Sequence, residues 1–455
     1  MSAAKQAAKR GKFMGMLEKA QKMLEKYSIC DHCLGRQFAL LGYGLGNQRR
    51  GKALKLLLTM KGHQMALTGE KKGVSLLKIL TVNTSLDMAT KILKRLKKRA
   101  RKRRECHLCH DKFESLNELV DHSLKKLKNY EYTTFLVGVE LPTETEEKED
   151  EFKAEFEVKH GESMQNHFSR EIGKRISETT QKPVDYKRPN VVVLVNPFTG
   201  RVKLKANPLY IAGRYRKLTR SIPQSKWICR ECGGRGCPRC NGTGKMYQES
   251  VEEIIAKPTL EKTAGEEASF HAAGREDVDA RMLGRGRPFV IEVKKPKKRF
   301  IDLQNLAETI NKQAQGKVKV LNLRFGDRDT VRKLKKPEMG EKVYKAIIKF
   351  DRNVSDEELA TLEKTLISTM VRQQTPLRVL HRRADRIREK YIYEAKIKRL
   401  TPNRVEMKVH CQGGLYIKEL ITGDQGRTNP NVSDIVSAKA ETLELDVLNV
   451  ITRGS

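Results

Sequence analysis

The sequence predicts an α+β fold for the C-terminal half of this chain and a mixed α/β region before it. After residue 245, strand-like and helical segments follow one another without the regular alternation of a doubly wound α/β sheet. We therefore expect a mixed or antiparallel sheet there. At 455 residues the chain is too long for one hydrophobic core, so we predict an accessory region over 1–245 and a second domain over 246–455.

The elements of the N-terminal region are predicted from local apolar periodicity. Apolar residues at helical spacing predict a helix over 11–29, and the densest basic run predicts a second helix over 91–104. The acidic stretch 144–157 is interpreted as an exposed insertion or linker. The predicted strands are 132–139, 191–195 and 201–204, the last two joined by a turn.

In the second domain, apolar runs bounded by turn residues predict strands, and longer periodic segments predict helices. The predicted strands lie near 269–273, 287–294, 317–324, 342–350, 391–399 and 404–411. The predicted helices lie around 302–315, 355–371 and 430–438.

Charge dominates the composition. Lys and Arg number 92 against 56 Asp and Glu, which gives a net charge of +36. Such a surface attracts polyanions and binds them by releasing counterions, so we expect nucleic acid as the partner. No apolar run approaches the roughly 18 residues of a membrane span. The basic segment 1–12 lacks the apolar core of a signal peptide, so we expect no membrane partner and a cytoplasmic, reducing location.

Eight of the nine cysteines form C-x-x-C pairs, each of which supplies half of a tetrahedral metal site. The pairs are Cys30/Cys33, Cys106/Cys109, Cys229/Cys232 and Cys237/Cys240. The last two are neighbours in a glycine-rich ribbon and predict one structural zinc. The first two predict a second zinc if the fold brings them together, and the alternative is a Cys₂His₂ finger that begins at Cys106 and includes His122. No second histidine follows at the needed spacing, so we favour the four-cysteine site. The lone Cys411 is interpreted as a small buried apolar residue.

The segment 270–284, FHAAGREDVDARMLG, contains the candidate catalytic group. It places Asp277 and Asp279 between arginines in a polar loop that precedes a strand. A neighbouring guanidinium favours the ionised form of a carboxylate, which is the form that acts as a nucleophile. A surface ion-pair cluster is the alternative.

Three more motifs accompany this loop, and together they resemble pseudouridine synthases. They are KVYKAII at 342–348, QTPLRVLHRRADR at 374–386 and CQGGLYIKEL at 411–420. In that superfamily an Arg-x-Asp loop carries the nucleophilic aspartate, a Lys-x-Tyr strand supplies a tyrosine, and a Gly-x-Tyr-Ile-Arg/Lys segment supplies the basic partner. GREDVDARMLG, QTPLRVLHRRADR and GGLYIKELITGDQGRTNPN look most like the pseudouridine synthase ten family, the archaeal tRNA pseudouridine(54/55) synthases.

The resemblance implies a role for each matching residue. Asp277, two residues after Arg275, matches the nucleophile, and Asp279 is its rival. Lys418 matches the basic partner, although many members of the superfamily have arginine there. The residues expected to contact substrate are Tyr344, Tyr416, Leu445, Arg378, His381, Arg382 and Arg383.

The resemblance also implies the fold and the activity. We expect a pseudouridine synthase domain preceded by a THUMP-like RNA-binding region, and isomerisation of uridine at position 54, 55 or both of tRNA. We expect recognition of the T-loop and elbow by a monomer. Catalysis would need no cofactor, and one or two zinc ions would be structural. The alternative is a non-catalytic, zinc-stabilised RNA-binding or ribosome-associated protein. A THUMP-bearing methyltransferase or thiouridylase would need a glycine-rich cofactor loop or a P-loop-like motif. The sequence has neither, because GRGRP at 284–288 is too short and flanks the wrong elements.

Overall fold

The computed structural model describes residues 15–83, 87–335, 340–381 and 383–451. The start of the first predicted helix, at 11–14, and the predicted RNA contact Arg382 lie outside the described residues. The chain divides into two compact units, Met1–Asn207 and Pro208–Ser455. In the described part of the chain, no helix is both long enough and apolar enough to cross a membrane.

The first unit combines helices with a three-stranded sheet around one hydrophobic core. Its helices are α1 (Met16–Lys26), α2 (Asp31–Arg36), α3 (Asn47–Leu67), α4 (Lys71–Leu80), α5 (Met88–Arg95), α6 (Leu116–Leu127), α7 (Thr143–Glu155) and α8 (Met164–Thr180). Its strands are β1 (Phe135–Val139), β2 (Val191–Asn196) and β3 (Arg201–Ala206). β1 pairs parallel with β2, and β2 pairs antiparallel with β3. The first helix and all three predicted strands of this region are confirmed.

Two predictions for the first unit are wrong. The basic helix predicted over 91–104 ends at Arg95, because Lys97 adopts a left-handed φ of 54° and the cations after it extend as irregular chain. The acidic stretch is not a linker, because it forms helix α7. Phe152 of this helix is buried, and the buried Glu149 forms an ion pair with the buried Arg36. A carboxylate can be buried when a cation compensates its charge, and the sequence pattern did not show that partner.

The second unit is built on a ten-stranded mixed sheet, in agreement with the predicted α+β class. Its strands are β4 (Leu209–Lys217), β5 (Glu267–Ala272), β6 (Ala280–Lys294), β7 (Val318–Gly326), β8 (Glu341–Phe350), β9 (Thr369–Gln374), β10 (Ile387–Thr401), β11 (Arg404–Gln412), β12 (Thr428–Asn429) and β13 (Ala440–Ile451). The strand order is β12-β9-β10-β11-β8-β13-β6-β4-β7, with β5 paired to β6. Only β13 and β6 pair parallel among these described strands.

Helices pack against this sheet and contribute to its hydrophobic clusters. They are α9 (Val251–Thr263), α10 (Leu303–Gln313), α11 (Arg328–Lys335), α12 (Asp356–Leu366), α13 (Leu377–Leu380), α14 (Ile417–Thr422) and α15 (Val432–Val436). The helix predicted over 355–371 ends earlier, at Leu366. Ser368 has a φ of 53°, and the following residues form β9, whose Val371 is buried in the sheet.

The division into units differs from the predicted boundary at 245. β4 pairs with β6 and β7 near one end of the sheet, so the second unit begins with β4 and includes the cysteine ribbon. β6 is also longer than predicted, because it begins at Ala280 and 280–286 belong to the strand. Gly284 has a φ of 54°, and a Cβ there would lie 1.8 Å from the carbonyl oxygen of Leu448. The glycine therefore permits close approach of two strands, and the GRGRP segment is not a cofactor loop.

Candidate active site and cysteine clusters

The candidate nucleophile lies in the loop 273–279, which connects β5 to β6. Gly274 begins the loop with a φ of 79°, a left-handed conformation that favours glycine. A Cβ at this position would lie 3.1 Å from Nη1 of Arg287, which is buried. The backbone conformation therefore favours glycine at this position of the GRED motif, and Arg287 leaves little room for a Cβ.

Asp277 lies among cations at the surface of the unit. Its Oδ2 is 3.1 Å from Nη1 of Arg378 and 3.8 Å from Nζ of Lys418. The Asp277 side chain is 36% exposed, so a substrate can reach it. The structure thus brings the predicted nucleophile and the predicted basic partner together, but the shorter contact of Asp277 is with Arg378.

Asp279 has the closer contact with Lys418, whose Nζ donates to Asp279 Oδ2 at 2.6 Å. Burial raises the pKa of Asp279, but the hydrogen bond and the charge of Lys418 outweigh it, so the net pKa is below the usual value. Lys418 therefore bridges the two aspartates. The sequence left open what the second aspartate does, and this contact is its observed part in the site.

Arg378 is oriented by a carboxylate that the sequence analysis missed. Its Nε donates to Oε1 of Glu419 at 2.5 Å, and Glu419 is buried at the start of α14. The signal was available, since Glu419 directly follows the predicted basic partner in the YIKE motif. A fixed carboxylate behind Arg378 leaves its Nη1 directed at Asp277.

Tyr416 caps the N-terminus of α14 and lies beside the same arginine. Its ring centre is 5.9 Å from the Arg378 guanidinium, and its hydroxyl accepts a 2.7 Å hydrogen bond from Arg383. The buried Gln373 of β9 bonds to both the backbone N–H and the carbonyl of Tyr416, at 2.8 and 3.0 Å. Tyr416 is thus fixed at the surface together with two predicted RNA contacts. The third, His381, is exposed just after α13.

Tyr344 and Leu445 lie on adjacent strands, β8 and β13. Burial raises the pKa of the Tyr344 hydroxyl above its usual value; Cys411 and Asp277 raise it further, and Arg287 opposes them. Tyr344 is therefore a neutral hydroxyl within electrostatic reach of Asp277. Leu445 is buried and pairs with Ala280, the first residue after the loop. Cys411 is fully buried, and burial raises its thiol pKa to about 12. The neutral thiol is consistent with the predicted role as a small buried apolar residue.

A buried polar cluster that the sequence analysis missed lies against the inner side of the loop. Glu276 accepts hydrogen bonds from Nε of Arg287 at 2.7 Å and from the hydroxyl of Tyr215 at 2.9 Å. Arg287 also donates to the carbonyl of Ala273, and Gln224 donates to the carbonyl of Gly274 at 2.9 Å. No local pattern could reveal this cluster, because its members come from β4, β6 and the chain between them.

The eight paired cysteines form two groups, as predicted. Cys30, Cys33, Cys106 and Cys109 lie together in the first unit, and Cys229, Cys232, Cys237 and Cys240 lie together in the second. Four sulfurs at about 2.3 Å from a tetrahedral zinc would be about 3.8 Å apart. The Sγ–Sγ distances are 3.6 Å for Cys30–Cys109 and 3.8 Å for both Cys229–Cys237 and Cys232–Cys240. Both groups therefore have the spacing of a closed four-sulfur metal site, with no open coordination position.

The cysteine ribbon of the second unit also contacts the aspartate loop. Trp227 precedes Cys229, and the Arg275 guanidinium lies 5.7 Å from its ring centre. Trp227 packs edge-on against Tyr247, and its carbonyl accepts from the N–H of Met246 on the other arm of the ribbon. The ribbon thus supports the Arg-Glu-Asp loop from outside.

Comparison with known proteins identifies the family. The family model described as "Pus10, C-terminal" matches residues 210–451, and "Pus10 THUMP domain, archaeal" matches residues 119–196. The chain belongs to the Pus10 family. It is 44% identical to the tRNA pseudouridine synthase Pus10 of Methanocaldococcus jannaschii over 94% of this chain and 93% of that protein. The namesake from Methanothrix thermoacetophila is 40% identical, over 96% and 94% of the two chains, and that from Thermofilum pendens is 39% identical, over 95% of each.

The Pus10 matches confirm the resemblance seen in the motifs and the α+β class. The C-terminal match begins at residue 210, next to the division between the two compact units, and it includes the cysteine ribbon. The THUMP match begins in α6 and ends at the last residue of β2. This Pus10 chain is thus an enzyme of the pseudouridine synthase class with an N-terminal THUMP domain.

Proposed function

We propose that this chain isomerises uridine to pseudouridine at position 54, position 55 or both of the tRNA T-loop, with Asp277 as the nucleophile. One observation carries the proposal. A partly exposed carboxylate has two cations within 4.0 Å of it, and the half-buried Tyr344 lies within its electrostatic reach. The names of the full-length Pus10 relatives supply the substrate class.

The reaction rearranges the substrate's own atoms. The bond between N1 of uracil and C1′ of ribose breaks, the base turns, and C5 bonds to C1′; the C5 proton leaves and N1 gains a proton. An ionised carboxylate can start this sequence by attacking carbon or by removing a ribose proton. Arg378 and Lys418 place two positive charges beside the Asp277 carboxylate. An isomerisation needs no redox or organic cofactor.

The other side chains are assigned by their environments. A tyrosine whose hydroxyl stays protonated is a poor base, so we assign Tyr344 to packing against the detached uracil rather than to proton removal. Leu445, which is buried on the strand next to that of Tyr344, is assigned to apolar contact with the same base. Arg383 and Tyr416 at the surface are assigned to the RNA strand, together with Arg378 and His381. Because the target base is stacked inside the tRNA, it must be flipped outward to reach Asp277.

The cysteine groups are assigned to structural zinc. Their sulfur spacing and closed four-thiolate composition fit zinc, which such sites use to stabilise a fold. The basic tract after α5 and the THUMP domain are assigned to the tRNA backbone, where cations bind phosphates without reading sequence. A monomeric state, a cytoplasmic location and recognition of the tRNA elbow stay predictions.

The test uses an unmodified tRNA transcript and maps pseudouridine by carbodiimide-blocked reverse transcription. We expect product with the wild type, and transcripts with cytidine at position 54 or 55 identify the modified site. Asp277→Asn should abolish product while tRNA affinity is retained. Asp279→Asn, which weakens only a contact with Lys418, should keep measurable activity. Product from Asp277→Asn and none from Asp279→Asn would exchange the two roles. No product from the wild type would favour a non-catalytic RNA-binding protein.

A further inference from the structure

A buried lysine that no motif includes lies directly under the candidate nucleophile. Lys217 is the last residue of β4 and has no solvent-exposed surface. Its Nζ donates to the carbonyl oxygens of Ile222 at 2.9 Å, Asp277 at 3.0 Å and Val278 at 2.9 Å. An ammonium group has three protons, so all of its donor capacity is used on backbone carbonyls, and two of these belong to the aspartate loop.

The burial of this charge has a consequence for function. Lysine is almost never fully buried, because removing its charge from water is costly unless other groups compensate. Here the acceptors are main-chain carbonyls, to which an apolar side chain in the same space could not donate hydrogen bonds. The ammonium group therefore fixes the position of peptide groups rather than filling volume.

Lys217 is itself held within the sheet by two neighbouring strands. Lys217 pairs with Met282 of β6 and with Val318 of β7, and both of these residues are buried. The two loop carbonyls also accept backbone hydrogen bonds, that of Asp277 from Ala280 and that of Val278 from Ser221. The loop backbone is thus connected both to its own continuation and to the interior of the sheet.

We infer that Lys217 is a positioning residue for the isomerisation: its ammonium group fixes the backbone at Asp277 and Val278 and so aims the Asp277 carboxylate at the flipped nucleotide. The inference rests on the proposed role of Asp277 as the nucleophile. Lys217 does not touch substrate, since it is enclosed on the side of the loop that faces the sheet. A reacting group displaced by about 1 Å can lose about 100-fold in rate, which sets the expected size of the effect.

The charge state of Lys217 offers a readout that a purely structural residue would lack. Burial lowers the pKa of Lys217 to about 8, with opposing contributions from Glu276, Asp279 and Asp277 on the loop and a small further lowering from Arg220. Above that pH the group loses a proton and one of its hydrogen bonds. Lys342 also has its pKa lowered to about 8 by burial, so the wild-type profile alone cannot identify Lys217. The ratio of wild-type to variant rates can, because the contribution of Lys342 cancels.

The experiment compares Lys217→Met and Lys217→Gln with the wild type in single-turnover reactions at saturating tRNA, together with tRNA affinity and thermal unfolding. We expect Lys217→Met to lose about 100-fold in rate with unchanged tRNA affinity. Lys217→Gln should lose less, because its amide still donates two hydrogen bonds. Arg352→Met is the matched control, since Arg352 also donates to a backbone carbonyl, that of Val436 at 2.6 Å, in another part of the same unit. Its rate should be unchanged.

The ratio of the wild-type rate to the Lys217→Gln rate should fall as the pH rises from 7 to 9. A ratio that does not change with pH, or a Lys217→Met rate within threefold of the wild type, overturns the inference. If Lys217→Met does not fold, the pH dependence of the ratio of wild-type to Lys217→Gln rates still tests the inference. Asp277→Asn is assayed alongside. An inactive Asp277→Asn with a normal Lys217→Met refutes only the positioning role, whereas an active Asp277→Asn refutes the assignment of the nucleophile.

Discussion

The buried ion pair between Arg287 and Glu276 should make Arg287→Met one of the more destabilising single substitutions in the second unit. The two side chains are 1% and 0% exposed, and Nε of Arg287 is 2.7 Å from Oε2 of Glu276. Removing the arginine leaves a buried carboxylate whose remaining donor is the hydroxyl of Tyr215 at 2.9 Å. It also frees the carbonyl of Ala273. Breaking a buried pair in this way costs about 3–5 kcal/mol of unfolding free energy.

A matched control lies on the same strand. Lys294 and Glu267 form an ion pair of similar length, 3.0 Å, but their side chains are 43% and 66% exposed. Solvent screens such a pair, so Lys294→Met should change the unfolding free energy by at most about 1 kcal/mol. The double substitution Arg287→Met/Glu276→Leu removes both buried charges and should recover a large part of the loss.

The assay is unfolding by guanidinium chloride, followed by the fluorescence of the only tryptophan in the sequence, Trp227. This residue lies in the second unit next to the aspartate loop, so the signal reports on the affected region. The free energy is obtained from the midpoint and the slope of the transition. If Arg287→Met loses no more stability than Lys294→Met, or if the double variant is no more stable than Arg287→Met, the description of the cluster as a compensated buried charge is refuted.

Three further outcomes are expected. Gly274→Ala should lose about 1–3 kcal/mol of stability, because the residue has a φ of 79°, and unfolding at the wild-type midpoint would contradict this. Arg378→Lys should lower the single-turnover rate by at least tenfold, because lysine cannot contact Asp277 and Glu419 at once. A tenfold loss corresponds to about one hydrogen bond to a charged group. A wild-type rate would show that the positive charge alone suffices. Cys232→Ser should remove one equivalent of metal, measured by elemental mass spectrometry, and should shift the fluorescence of Trp227. An unchanged metal content would exclude a metal in the ribbon.

Much of this protein could be predicted from short patterns. The C-x-x-C spacing predicted both cysteine groups, although one of them joins residues more than seventy positions apart. Each pair supplies half of a four-sulfur site, so two pairs are needed to complete one. The GRED and YIKE motifs predicted two segments that meet, because Lys418 lies beside both Asp277 and Asp279. Alternating apolar residues predicted most strands, because the side-chain period of a strand is local information.

Only the tertiary structure decided which charges pair. Asp277 has its shorter contact with Arg378 rather than with Lys418, and Glu149 is buried because Arg36 meets it from another helix. Lys217 shows the reason most clearly. Lys217 ends a strand, and the residues around it do not indicate a role for its side chain. That role depends on backbone carbonyls about sixty residues further along the chain. Electrostatic compensation acts through space, so the sequence could name the charged groups but not their partners.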